Sequence, residues 1–262
     1  MKGAPMINYD FSILKRIGLT HAVVGVKFSL MKPSDLPRLQ KKLAFCTMLK
    51  EAQENDGFYA TVEEHGCKVG PYLLGQMKED PVYEGGMIGP KLGVYEDARA
   101  NRKIYTNMYK FAAGSVPYTW FARTDVITFN PDLMIVTAKP TQAEIIMRAH
   151  GYRSGAPWEA KGTTVVGCEY LYIYPYFTNK MNILISGLHH GMKARKTFEE
   201  GLLFITIPYE LIPVILDNLE TMEKENKIDL PQYHWGAEAH EKHMKEIGAK
   251  LAKEIETANA RE

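Results

Sequence analysis

The sequence predicts an α/β or α+β fold: a single mixed-sheet domain with flanking helices and a C-terminal helical extension. Three observations lead there. β-rich runs and helix-period runs share the chain without strict alternation. Two segments of the second half repeat the order strand, proline, amphipathic helix. The stretch from Pro231 ends in a helical pattern with one apolar stripe. With 262 residues, 45% hydrophobic and 24% charged, the composition is that of an ordinary soluble globular protein able to bury a core. No flexible, composition-biased linker interrupts it, so the chain divides into a compact domain over 1–230 and a helical extension over 231–262.

Residues 22–30, "AVVGVKFSL", are β-rich and read as a strand. In "LPRLQKKLAFCTMLKEAQEND", Leu36, Leu39, Leu43 and Met48 trace one helical face, and Asn55–Gly57 supplies the stop. "GFYATVEEHGC" follows as a short strand running into a loop around Cys67. The glycine-rich "EGGMIGPKLG" then leads into a helical run in which Val94, Ala98, Tyr105, Met108, Tyr109 and Ala112 recur. That loop has neither the Walker spacing nor the dinucleotide fingerprint, so it is read as structural rather than as a phosphate cradle. "LMIVTAKPTQAEIIMRAHGY" is a strand, Pro140 and a helix, and "LLFITIPYELIPVILDNLE" repeats that order around Pro208, with Pro213 early in its helix. Between them lie "KGTTVVGCEYLYIYPYFTNK" and "MNILISGLHHGMKARK", apolar segments broken by glycines beside Cys168 and His189. Tyr170, Tyr172, Tyr174 and Tyr176 alternate there as residues on a strand face would. The final helix aligns Met244, Ile247, Leu251, Ile255 and Ala258, a stripe suited to docking on the body or on another subunit.

Thirty-two basic residues face thirty-one acidic ones, a formal charge of +1, which removes the electrostatic argument for nucleic-acid binding. Lys193, Arg195 and Lys196 form a local basic group, read as a solvated loop. No stretch approaches the ~20 apolar residues that span a bilayer, and the N-terminus lacks an apolar signal core. A cytoplasmic protein is the expectation. Three cysteines, an odd and sparse set, suit a reducing compartment better than a disulfide framework.

Those cysteines carry the chemical question. Cys46, Cys67 and Cys168 are too far apart for any C-x-x-C signature, and scattered free cysteines are by default core fillers. Yet Cys67 and Cys168 each follow a glycine, as "HGC" and "VGC", and each is placed near an expected strand–loop junction. Soft thiolates select zinc, cuprous copper or iron–sulfur clusters. A fourth ligand is available from "GLHHG" in His189 or His190, and Cys₃His is a sound zinc set. Weaker candidates are Glu63, Glu64 and His65 as an acid/base group beside Cys67, and His234, His240 and His243 before the last helix. His21 and His150 have no evident partners, and Asp132 is read as closing a turn.

Taken together, "VVGVKF", "FCTMLKEA", "EEHGCKVGPYLLG", "FNPDLMIV", "VVGCEYLYIYPYFTNK" and "ITIPYELIPVILDNLE" resemble, in that order, the archaeal and bacterial domain-of-unknown-function 169 family. The resemblance covers most of the chain. It implies a cytosolic protein with cysteines at the positions of Cys46, Cys67 and Cys168 and a further cysteine in the segment that here reads "SGLHHG". His189 then stands where a thiolate is usual, an exchange that keeps ligand capacity. The resemblance transfers no reaction, and it leaves the catalytic residues unknown.

Two functions follow as expectations. The first is a metal-binding protein, with an iron–sulfur (4Fe-4S) cluster ahead of zinc, held by Cys46, Cys67, Cys168 and His189 with His190 as substitute. It would serve a redox or sulfur-related role alongside a redox or enzyme partner. The second is a non-catalytic binding or assembly subunit, a homo-oligomer or complex member, with structural cysteines.

Overall fold

The computed structural model of the chain describes residues 9–78 and 80–259. Among these, six strands form one sheet: β1 (Val24–Ser29), β2 (Phe58–Ala60), β3 (Tyr118–Arg123), β4 (Leu133–Ala138), β5 (Asn182–Ile185) and β6 (Leu203–Pro208). Their order is β2-β3-β1-β4-β6-β5, and every ladder is antiparallel. The expected mixture of strands and helices is therefore realised in its α+β form, without parallel crossovers.

β4 is buried along its whole length, so its alternating side chains serve two faces. Leu133 and Ile135 join the core that holds Val24, Val26, Phe45 and Tyr172. Met134, Val136 and Ala138 are buried on the other face, where the helix Pro140–Gly151 contacts β4 and β6. Pro140 opens that helix as expected, because a first-turn position needs no N–H. The second strand–proline–helix unit is β6, a tight turn at Tyr209–Leu211, and the helix Ile212–Lys224. The echo in sequence is also one in space: β4 and β6 are neighbours, Leu133 opposite Pro208. Asn218 Nδ2 donates to Ala149 O at 2.8 Å and ties the two helices together.

Two expectations are corrected. The helix read from Leu36 begins only at Phe45 and ends at Glu54. Before it, Leu39 N donates to Tyr59 O and Leu43 N to Glu64 O, both at 2.9 Å. The backbone thus pairs with a neighbouring segment in spite of the helical spacing of its leucines.

The alternating tyrosines do not form a strand. They lie on a π-helical turn, Glu169–Ile173, which runs into an α-helical turn, Tyr174–Thr178. A wide turn of this kind disturbs the regular carbonyl ladder. Asn182 Nδ2 donates to Tyr170 O at 2.8 Å and Thr206 Oγ1 to Leu171 O at 2.7 Å. Side chains of β5 and β6 thereby satisfy buried carbonyls of the turn.

The chain forms two compact units, one through Leu219 and one from Glu220. In the second, the helix Ala237–Asn259 presents Met244, Ile247, Leu251 and Ile255, all exposed. Among the described residues, no helix is long and apolar enough to cross a membrane.

Candidate functional site

The expected ligand residues sit where helices begin, not at strand ends. Cys46 is the second residue of Phe45–Glu54, and Cys67 lies just before the short helix Val69–Leu73. Cys168 caps the helical run that starts at Glu169, and His189 immediately precedes His190–Ala194. These starts meet at one cavity of about 460 Å³, and Cys46, Cys67, Cys168, His189 and His190 all line it. The five residues singled out in the sequence therefore line one cavity.

The glycine in "VGC" has a steric reason. A Cβ at Gly167 would lie 2.8 Å from Cγ and Nδ1 of His189, so only glycine lets that ring pack beside Cys168. In "HGC", Gly66 N donates to Leu43 O at 2.8 Å, which holds the Cys67 loop against the segment leading to Cys46. The glycine-rich connection packs tightly and also lines the cavity through Ile88, Gly89 and Leu92. A Cβ at Gly89 would meet Asn101 Cγ at 2.6 Å, and one at Gly86 would meet Ala98 O at 2.2 Å.

Cys46 and Cys168 are free thiols that interact with each other. The Cys168 side chain lowers the Cys46 pKa to about 7 against the effect of burial, and the charge of Arg195 adds to it. The position of Cys46 in the first turn of a ten-residue helix acts in the same sense. Cys168, beside Cys46 and deeply buried, is pushed well above the ordinary thiol value. Beneath the pair, Phe45 and Tyr172 stack at 4.2 Å.

His189 is buried. Its Nδ1–H donates to Thr163 O at 2.8 Å, which fixes the tautomer and leaves Nε2 with a lone pair. Burial lowers its pKa against that hydrogen bond, so the ring is held neutral. Among the described residues, no three His, Cys, Asp or Glu side chains are already arranged around a single ion position.

The weaker candidates have other surroundings. Glu64 accepts from Thr61 N at 2.7 Å and from Arg38 Nε at 2.8 Å, closing a cap and an ion pair, and Arg38 also holds Glu63. His65 packs edge-on against Phe45, and burial lowers its pKa to about 4, which leaves it unfit to deprotonate Cys67. Asp132 Oδ2 accepts from Phe28 N at 2.7 Å, a structural role. His234 bonds Asp229, and His243 packs on Trp235. Among the lining residues that the sequence reading gave no role are two polar ones: Asn101, inside an ordinary polar helix, and Arg195, taken as part of a solvated loop.

The model of the domain-of-unknown-function 169 family, described as an uncharacterised ArCR, matches residues 12–218. The chain belongs to this family. Every residue lining the cavity falls inside the matched stretch. An uncharacterized protein of Methanocaldococcus jannaschii is 28% identical over 153 residues, 56% of this chain. The match spans 65% of that relative's length. No solved structure matches the chain significantly.

Proposed function

We propose that the chain binds a soft metal centre in this cavity, an iron–sulfur cluster in preference to zinc, for redox or sulfur-related chemistry. The observation that supports this most is convergence: Cys46, Cys67, Cys168 and His189 lie in four separate chain segments and line one cavity. Thiolates with an imidazole suit such centres. The residues fit in other ways too. His189 offers a neutral Nε2, Cys46 ionises readily, and Arg195 brings positive charge toward the thiolates. Size favours the larger group, because one ion with Zn–S bonds of ~2.3 Å would leave most of the space unfilled. A bound cluster would supply electron transfer to a partner protein or an exchangeable coordination position. The chain's own residues would hold it, balance its charge and, with Val165, Val166 and Met192 in the wall, keep bulk water away.

Protein purified without oxygen is expected to carry iron and acid-labile sulfide with broad visible absorbance. Cys67→Ser should lose both while far-UV circular dichroism is unchanged, and His189→Cys should retain them. A folded, colourless chain that holds neither iron nor sulfide, even after reconstitution, would overturn this reading.

The contact between Cys46 and Cys168 supports a second reading, thiol–disulfide exchange without metal. The Cys46 thiolate attacks a substrate disulfide and expels one thiolate. Cys168 then gives up its proton and attacks the Cys46 sulfur of the mixed disulfide. The second thiol leaves, and the Cys46–Cys168 disulfide is reduced again by a dithiol. In a chain that also carries Cys67→Ser, Cys168→Ala treated with oxidised glutathione should trap glutathione on Cys46, detected by mass. Failure to trap it in the folded, metal-free variant removes this reading.

A further inference from the structure

The cavity contains polar chemistry that thiol ligation leaves unused. Asn101 has no exposed surface and lines the wall. Its Nδ2 donates to Gly86 O at 3.1 Å, which leaves Oδ1 as the acceptor, and that atom has no partner. The side chain is held in place, since Gly89 packs directly against it. A buried acceptor left unpaired is costly, and this one belongs to a residue of the cavity wall.

At the mouth, Arg195 is exposed. Its Nη1 donates to Gly191 O at 2.8 Å. Among the described residues it has no carboxylate partner, and no acidic side chain lines the cavity. Between Arg195 and Asn101 the walls are apolar and aromatic, with Ile88, Leu92 and Tyr83 among them. A volume of about 460 Å³ suits a small organic molecule.

We infer that the cavity binds a small organic acid, with its carboxylate on Arg195, a neutral N–H or O–H on Asn101 Oδ1, and its apolar body against Ile88, Leu92 and Tyr83. A cationic ammonium does not suit the Arg195 end, because among the described residues no carboxylate lines the cavity and the guanidinium would repel it. This names a substrate class for the cavity already proposed to hold a metal centre, and it rests on Arg195 and Asn101, neither of which is a proposed ligand of that centre.

The test is calorimetric titration of the full chain, as purified without oxygen and again after metal removal. The probes are N-acetyl-L-methionine, its methyl ester, and 2-hydroxy-4-methylpentanoate. At least one acid should bind saturably, and the ester should bind far more weakly than its acid. Arg195→Gln should weaken the acid by roughly tenfold or more, the scale of a charge-assisted hydrogen bond, and leave the ester unchanged. Asn101→Leu should weaken the acids too; should it misfold, the exposed Arg195 variant still decides the question. Absence of saturable binding by either acid at millimolar concentration overturns the inference. So does equal binding of acid and ester, or an unaltered Arg195→Gln. The metal reading is judged on iron content and this one on binding to the iron-free chain, so either can fail alone.

Discussion

Tyr172→Ala is expected to cost about 4 kcal/mol, a large part of the ~5–15 kcal/mol that holds a domain folded. Tyr172 has no exposed surface. Its ring stacks on Phe45 at 4.2 Å and meets Phe121 edge-on at 6.2 Å, and its hydroxyl donates to Phe45 O at 3.2 Å. Removing the ring empties the centre of the core beneath the cavity. Tyr172→Phe keeps every ring contact and loses one hydrogen bond, an expected cost of ~1 kcal/mol. The functional consequence follows from position. Phe45 adjoins Cys46, and Tyr172 lies one helical turn beyond Cys168, so this stack sets the two thiols against each other. Urea midpoints should rank wild type, Tyr172→Phe, Tyr172→Ala, with a gap of about 3 kcal/mol between the two variants. Cys46 in the alanine variant should be alkylated faster by iodoacetamide. Equal midpoints for the two variants would show that the stack is not what holds the site together.

The legible parts of this fold are those whose causes are local. β1, β4 and β6 are apolar runs bounded by turn residues, and Pro140 announces the helix after β4; Pro208, read as the matching signal, is instead the last residue of β6, and the second helix starts at Ile212. Where the sequence misleads, the deciding contacts are distant. Leu36, Leu39 and Leu43 keep a helical spacing, but the backbone there is claimed by Tyr59 and Glu64. The tyrosines after Cys168 alternate like a strand, yet Leu171, Tyr172, Ile173 and Tyr174 are all buried in succession. Alternation says nothing of period when every face of a segment is covered. The carbonyls of that π-helical turn are satisfied by Asn182 and Thr206, partners that no local window contains.

The site divides along the same line. The cysteines and His189 could be singled out because their side chains carry chemistry of their own, and the glycine before Cys168 marked a close approach that proves to be the His189 ring. Asn101 and Arg195 could not. An asparagine in "ARANRKIYTN" reads as a solvent face, and its burial comes from Gly86 and Gly89 folding over it. Arg195 stands in a run of basic residues, and only the cavity beside it distinguishes it from Lys193 and Lys196.

Replacing either of two buried ionisable side chains should tilt the pH dependence of stability, in opposite directions. Burial raises the pKa of Glu169 from 4.5 to about 7, against the Tyr109 N–H and the charge of Lys161. The folded state therefore keeps a proton that the unfolded chain releases. The stabilisation is complete below about 4.5 and is lost as pH rises through 7. At 1.36 kcal/mol per unit the change is roughly 3 kcal/mol. His65 behaves in the opposite sense. Burial lowers its pKa from 6.5 to about 4, and neither ring nitrogen has a partner. As pH falls below 6.5 the unfolded chain takes up the proton first, so stability declines by up to roughly 3 kcal/mol by pH 4. Relative to wild type, Glu169→Gln should become more stable as pH rises from 4.5 to 7, since it keeps the Tyr109 acceptor and cannot ionise. His65→Phe should be most favoured over wild type near pH 4 and lose that advantage by 6.5. Taking differences from wild type cancels every other titrating group, provided both variants keep the native far-UV spectrum. Urea unfolding at several pH values across the shared window, about 4.5 to 6.5, gives the two slopes directly. Slopes of the same sign, or none, would mean that burial does not shift Glu169 and His65 in opposite directions.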